Sequence, residues 1–64
     1  MKRRDLERHL RAHGCRLDHH GGGHDIWFNP QTQRQAPVPR HAEINTFTAI
    51  DICKQLGVPR PAGR

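Results

Sequence analysis

The residues best suited to acid–base chemistry in this chain are its histidines, and one of them follows three glycines. The segment Gly21-Gly22-Gly23-His24 leads directly into an aromatic, β-favouring run. Glycine reaches positive φ at little steric cost, so these residues predict a tight turn with His24 at the start of a strand. A histidine beside such bare backbone is well placed to meet a phosphate, and it exchanges protons near neutral pH. The competing interpretation is an ordinary surface histidine.

Six histidines and two cysteines also suggest a metal-binding module as an alternative. His19, His20 and His24 lie close together along the chain. Neighbouring residues of a strand point to opposite faces, however, so His19 and His20 are poorly arranged to share one tetrahedral ion. Cys15 and Cys53 are too far apart for a paired zinc motif and are predicted to be small buried residues in a reducing compartment. We therefore predict no metal ligand and no cofactor.

The charge balance indicates an anionic partner. Eleven Lys and Arg residues outnumber six Asp and Glu residues, which gives a formal net charge of +5 and a pI near 10.7. Nine of the eleven are Arg, whose planar fork of donors binds phosphate and stacks on bases, so nucleic acid is favoured. The basic N-terminus precedes no apolar segment, and no run approaches a membrane span. We expect a cytoplasmic protein that neither enters a membrane nor is secreted.

Sixty-four residues allow one small domain with an economical core. Leu6 and Leu10 lie four apart and predict a short amphipathic helix over residues 4–13. A brief alternation of apolar and polar residues predicts a first strand over residues 15–20. The domain is expected to span residues 1–58.

The second predicted strand, residues 24–29, divides its side chains between two faces. Alternation separates two groups, which are His24, Ile26 and Phe28 on one face and Asp25 and Trp27 on the other. The histidine then shares a face with apolar side chains of the kind that helices cover, and it reaches solvent only at the end of the sheet. A third strand over residues 35–39 contains Pro37 and Pro39, which cannot donate to a neighbour and therefore predict an edge strand.

A second helix over residues 46–56 is predicted to supply most of the core. Asn45 is a good N-cap residue, and Gly57 is expected to end the helix. The predicted buried stripe combines Ala49 with four residues spaced by three, namely Phe47, Ile50, Cys53 and Leu56. Residues 59–64 contain two prolines and are expected to form a flexible C-terminal tail.

The order helix, three strands, helix predicts an α+β fold. As a layered domain, it is a three-stranded antiparallel sheet with both helices on one face. Double-stranded-RNA-binding domains have a similar α-β-β-β-α order, and they recognise RNA by its shape through phosphate and 2′-OH contacts.

Five stretches carry a resemblance to a known family. They are Lys2-Arg3-Arg4-Asp5-Leu6, His13-Gly14-Cys15, Gly22-Gly23-His24, Val38-Pro39-Arg40-His41-Ala42-Glu43-Ile44-Asn45 and Ile52-Cys53-Lys54-Gln55-Leu56-Gly57. A Gly-x-His triplet alone is weakly specific, but combined with Val-Pro-Arg-His at this distance it becomes a strong signal. Over nearly its whole length the chain resembles the HicA family of small bacterial toxins, the ribonuclease half of HicAB toxin–antitoxin pairs.

The resemblance implies a double-stranded-RNA-binding-like fold, cleavage of mRNA without a metal, and neutralisation by a HicB antitoxin. The family's catalytic histidine falls on His24, which Gly22 and Gly23 support as a turn. DNA is an expected partner only indirectly, through the antitoxin. The first strand departs from the family pattern, because Asp18, His19 and His20 stand where relatives place mostly apolar residues.

Metal-free RNA cleavage needs a base for the 2′-OH proton, a donor for the leaving 5′-oxygen and positive charge at the phosphate. We expect His24 to be the base. The candidate RNA-binding residues are Arg3, Arg4, Arg8, Arg11, Arg40, His41 and Trp27, for which a solvated surface or, for Trp27, simple packing is the alternative. The expected strand register does not place Arg40 and His41 beside His24. A non-catalytic RNA-binding domain has the same basic surface and stays an alternative function.

Overall fold

The computed structural model describes residues 1–61 and contains the predicted elements in the predicted order. They are α1 (Arg3–Ala12), β1 (Arg16–His20), β2 (His24–Asn29), β3 (Arg34–Pro39) and α2 (Thr46–Leu56). The strands pair antiparallel in the order β1-β2-β3, so β2 is central and β3 is an edge strand, as its prolines predict. The α-β-β-β-α fold is therefore confirmed.

Both helices cover the face of the sheet that carries Trp27. This residue pairs across the strands with Ala36, and its side chain is buried together with that of Val38. The helices add a second layer to this core, with Leu6 and Leu10 from α1 and Ala49, Ile52, Cys53 and Leu56 from α2. The apolar core therefore lies between the helices and one side of the sheet.

The residues of β2 divide between two faces as predicted. The helices, however, cover the face with Trp27, whereas the sequence had suggested the face with Ile26 and Phe28. Ile26 and Phe28 are half-buried and share the open face with His24, whereas Trp27 is only 1% exposed. Strand β3 explains the outcome, because Ala36 and Val38 extend the Trp27 face as an apolar surface. His24 consequently faces solvent because no helix covers this face of the sheet.

The buried stripe of α2 also differs from the prediction. Phe47 is 80% exposed, and the stripe consists of Ala49, Ile52, Cys53 and Leu56. A spacing of three falls short of the helical repeat of about 3.6 residues, so over nine residues Phe47 turns to the side opposite Leu56. The observed stripe instead follows the i, i+3, i+4, i+7 pattern of an amphipathic helix.

Both predicted ends of α2 are confirmed. The side chain of Asn45 accepts a hydrogen bond from the Phe47 amide at 2.8 Å, and Gly57 ends the helix in the left-handed region with φ 74°. The buried Asn29 ties this end to the β2–β3 turn, since its Nδ2 donates to the Leu56 carbonyl at 2.8 Å and its Oδ1 accepts from the Gln31 amide. The turn and the helix end therefore stabilise each other.

The start of α1 lies beside the segment that follows β3. The Arg3 amide donates to the Ala42 carbonyl at 2.9 Å, and the Ile44 amide donates to the Met1 carbonyl at 2.7 Å. Lys2 forms an isolated antiparallel bridge with Glu43 between them. This short pairing brings the basic start of α1 to the end of the sheet where β3 finishes.

The first strand is exposed along its whole length and lies at the other edge of the sheet. Its pairing with β2 shifts register between Leu17 and His19, so Asp18 lies in a bulge. An exposed edge strand with a bulge accommodates the charged and polar residues Asp18, His19 and His20. Cys15 and Cys53 are buried free thiols, as predicted, and burial raises the pKa of Cys53 to about 11.

The predicted tail lies partly outside the described residues. Residues 59–61 belong to neither a helix nor a strand, and the His9 Nε2 donates to the Pro59 carbonyl at 2.7 Å. Residues 62–64 are not described. Within residues 1–61, neither helix has the length and apolar character needed to cross a membrane.

Candidate active site

The hairpin between β1 and β2 presents His24 at its tip. The Gly21 amide donates to the His24 carbonyl at 2.7 Å, which closes a turn whose two middle residues are Gly22 and Gly23. His24 is exposed at the first position of β2. The predicted turn is therefore present, and it holds the imidazole where a ligand can approach.

The glycines were expected to allow positive φ in the turn. This explanation is wrong, because none of the three adopts a left-handed φ. A side chain at Gly21 would place its Cβ 3.0 Å from the His24 carbonyl oxygen, closer than most Cβ contacts, so glycine is favoured at this position. At Gly22 and Gly23 an added Cβ would meet nothing within 4 Å. The fold therefore does not require glycine at these two positions, and the absence of side chains there leaves open space beside His24.

Arg40 lies against the same tip, contrary to the register expected from the sequence. Antiparallel pairing sets the end of β3 opposite the start of β2, and Pro39 is the partner of His24. The Arg40 guanidinium donates through Nη2 to the Gly21 carbonyl at 2.6 Å and lies 3.5 Å from the His24 carbonyl. No slip of register is needed for this contact.

A carboxylate completes the cluster at the tip. Asp25 Oδ1 accepts hydrogen bonds from Arg40 Nε at 2.8 Å and from His20 Nδ1 at 2.7 Å. The Asp25 side chain is only 13% exposed, whereas those of Arg40 and His20 are 41% and 68% exposed. The hydrogen bond from Arg40, and then the one from His20, hold the pKa of Asp25 below its ordinary value. The carboxylate therefore stays ionised at neutral pH.

Sequence reasoning missed Asp25 and the pairing of His20 with it. The available signal was the antiparallel meander itself, which sets Asp25 opposite Val38, two residues before Arg40. His19 makes a similar contact with Asp18 at 2.7 Å. Among residues 1–61 no three His, Cys, Asp or Glu side chains are grouped as a metal site, so the alternative metal module finds no ligand set there.

The candidate RNA-binding arginines fall into two groups. Arg3 donates to the Arg40 carbonyl, and Arg3 and Arg4 line a cleft of about 260 Å³ together with Lys2, Glu7 and Ala42. This cleft at the start of α1 is thereby joined to the hairpin tip. The other group comprises Arg8, paired with Asp5 at 3.8 Å, and Arg11, both further along the same helix. His41 is exposed directly after Arg40.

Trp27 does not belong to the candidate RNA-binding surface. Its side chain is 1% exposed and packs in the hydrophobic core, so its ring has no free face on which a base can stack. The Arg11 guanidinium lies 5.0 Å from the ring centroid, within range of a cation–π interaction. Of the two roles considered for Trp27, an RNA contact is therefore wrong and packing in the core is correct, and part of the Arg11 side chain serves that packing.

Comparison with known proteins agrees with this architecture. The family model for the HicA toxin of bacterial toxin–antitoxin systems matches residues 3–58, which include every helix and strand. No curated protein and no solved structure matches the chain significantly. Since the family model covers most of the chain and its fold is the expected one, the chain belongs to the HicA family of bacterial toxins.

Proposed function

We propose that this toxin is a metal-independent endoribonuclease that cleaves mRNA in the cytoplasm and is neutralised by a HicB antitoxin. The observation that carries the proposal is the tip of the β1–β2 hairpin. There an exposed His24 borders the open space left by Gly22 and Gly23, and the basic cleft at the start of α1 adjoins it through Arg3 and Arg40. His24 and the open space beside it lie at the tip itself. The positive charge of the cleft lies on the helix side of the sheet and is linked to the tip through the carbonyls of Arg40 and Gly21.

The chemistry assigned to His24 is removal of the proton from a 2′-OH. The resulting alkoxide attacks the adjacent phosphate, and the 5′-oxygen leaves with a proton from a donor. Positioned proton transfer contributes typically about 10²–10⁴-fold to a rate. Lys2, Arg3 and Arg4 supply positive charge where the phosphate backbone of a bound RNA runs past the tip. The same charge attracts RNA over longer distances.

His24→Ala tests the catalytic assignment. The substitution removes an exposed side chain, so the variant is expected to fold and bind RNA like the wild type while losing cleavage by about 10²-fold or more. His13→Ala is a matched control, because it removes another exposed histidine, located after α1 and away from the tip. Cleavage of single-stranded RNA should be measured with EDTA present.

Full activity of folded His24→Ala contradicts the assignment. Activity that EDTA abolishes and a divalent ion restores contradicts the metal-independent mechanism. If the wild-type chain binds RNA tightly but cleaves none under any of these conditions, the non-catalytic RNA-binding domain becomes the better description.

The proposed antitoxin contact is an acidic surface that covers His24 and the basic cleft. The net charge of +5 on a small chain attracts an acidic protein as well as RNA. A partner that binds only the folded toxin also raises its stability by mass action. Binding is therefore expected to raise the melting temperature and block cleavage together, and tight binding that leaves cleavage unchanged contradicts occlusion.

A further inference from the structure

The hairpin tip that carries His24 has little means of holding itself rigid. Three successive glycines contribute no side chains to packing, and glycine retains more backbone freedom than any other residue. The two carbonyls that flank the turn, those of Gly21 and His24, both face the Arg40 guanidinium. An element outside the hairpin therefore contacts the turn at both of its ends.

We propose that Asp25 and Arg40 form a clamp that positions His24, and that Arg40 acts through these contacts rather than by binding a phosphate. The clamp rests on the proposed catalytic role of His24. Asp25 belongs to β2, Arg40 follows β3, and His20 of β1 donates to the same carboxylate oxygen. One carboxylate thus joins β1, β2 and the residue that follows β3.

The geometry explains why arginine is suited to this position. Its Nε donates to Asp25 while its Nη2 donates to Gly21, so two nitrogens of one rigid plane hold two different groups. A lysine carries the same charge but has no planar fork. Because Asp25 is 13% exposed, water competes only partly for the carboxylate.

The clamp and a phosphate contact predict different effects for the same substitutions. If Arg40 only positions the turn, then Arg40→Gln and Asp25→Asn lower kcat alike, and the double variant loses little more than either single one. If Arg40 binds a phosphate, then Arg40→Gln raises KM and lowers the salt slope of affinity by about 0.7, whereas Arg40→Lys retains much of the binding. In that case the effects of Asp25→Asn on kcat and KM need not resemble those of Arg40→Gln.

The test compares the full-length wild type with Asp25→Asn, Arg40→Gln, Arg40→Lys and the Asp25→Asn/Arg40→Gln double variant. Arg34→Gln is the matched control, because it removes an exposed arginine from the opposite end of β3. Amide exchange of Gly21, measured by NMR, reports the turn directly, since this amide donates to the His24 carbonyl. Melting temperatures identify any variant that is unfolded, and Arg40→Lys keeps the test valid if Asp25→Asn does not fold.

We expect the amide exchange rate of Gly21 to rise by about tenfold in every variant of Asp25 or Arg40, including Arg40→Lys. The rate should stay unchanged in Arg34→Gln. Cleavage is expected to fall about 10- to 100-fold through kcat, with KM and the salt slope unchanged. Unchanged Gly21 exchange, or wild-type cleavage by Arg40→Lys, overturns the clamp. Should the wild type not cleave RNA, the proposed function fails, while the exchange experiment still decides whether the clamp exists.

Discussion

The two middle glycines of the hairpin turn allow a test that separates the needs of the fold from those of the substrate. An alanine at Gly22 or Gly23 would have its Cβ in open space, with nothing within 4 Å, and neither residue has a left-handed φ. Alanine at such a position stabilises a protein by about 0.4–1 kcal/mol, because it restricts the unfolded chain. For a domain of this size that corresponds to a rise in melting temperature of about 2–8 °C.

Cleavage is expected to change in the opposite direction. The new methyl group occupies the space beside His24 through which we propose that the phosphate approaches, and a displacement of about 1 Å at a reacting group costs as much as 10²-fold in rate. Gly22→Ala and Gly23→Ala should therefore be more stable than the wild type and about 10- to 100-fold slower. Thermal melting monitored by circular dichroism and single-turnover cleavage of a labelled RNA measure the two effects.

Two further glycines are controls for the steric argument. At Gly21 a Cβ would lie 3.0 Å from the His24 carbonyl oxygen, and at Gly57 it would lie 2.9 Å from Thr32 Cγ2 on a backbone with φ 74°. Alanine at either position should lower the melting temperature. A lower melting temperature for Gly22→Ala or Gly23→Ala would show that the turn itself needs glycine there. Stable variants with full activity would show that the open space is not the path of the substrate.

Three other changes have expected results that follow from single interactions. Asn29→Ala removes two hydrogen bonds, to the Leu56 carbonyl and from the Gln31 amide, while the Thr32 hydroxyl still donates to Leu56. At about 0.5–1.5 kcal/mol for each bond, the loss in urea unfolding should be about 1–3 kcal/mol, and a change within error would mean that the turn repacks. Replacing Arg8 and Arg11 by Gln should weaken binding to all RNA sequences alike and lower the salt slope by about 0.7 for each phosphate that is no longer neutralised, whereas an unchanged slope leaves both as a solvated or packing surface. The lowered pKa of Asp25 means that its ion pair stabilises the fold fully above its unfolded pKa of about 3.9 and that this contribution disappears as pH falls through the folded pKa. The stability difference between the wild type and Asp25→Asn should therefore shrink as the pH falls below about 5, and a difference independent of pH would refute this origin.

Local sequence signals determined most of the secondary structure. Asn45 and Gly57 mark the ends of α2 because capping depends on residues within one turn of the helix. The glycine run likewise predicts the hairpin and the start of β2, because a turn depends only on residues adjacent in sequence. His24 could therefore be selected as a candidate from the sequence and the resemblance to the HicA family, whereas its place on the open face could not.

The identity of the covered sheet face was decided by tertiary structure. Alternation separates Trp27 from Ile26 and Phe28, but both faces of β2 carry large apolar side chains, so one strand alone cannot show which face the helices cover. Ala36 and Val38 decide it from the neighbouring strand. Because the helices cover this face, Trp27 is buried and cannot be an RNA contact, and His24 lies on the open face.

The surroundings of His24 were likewise decided by the packing of distant segments. Arg40 is sixteen residues further along the chain, and it reaches the turn only because antiparallel pairing sets Pro39 opposite His24. Arg3 joins the cluster because the start of α1 pairs with the segment after β3. Residue types and local spacing specify which groups are capable of chemistry, whereas hydrogen bonds between segments far apart in sequence determine which of those groups meet.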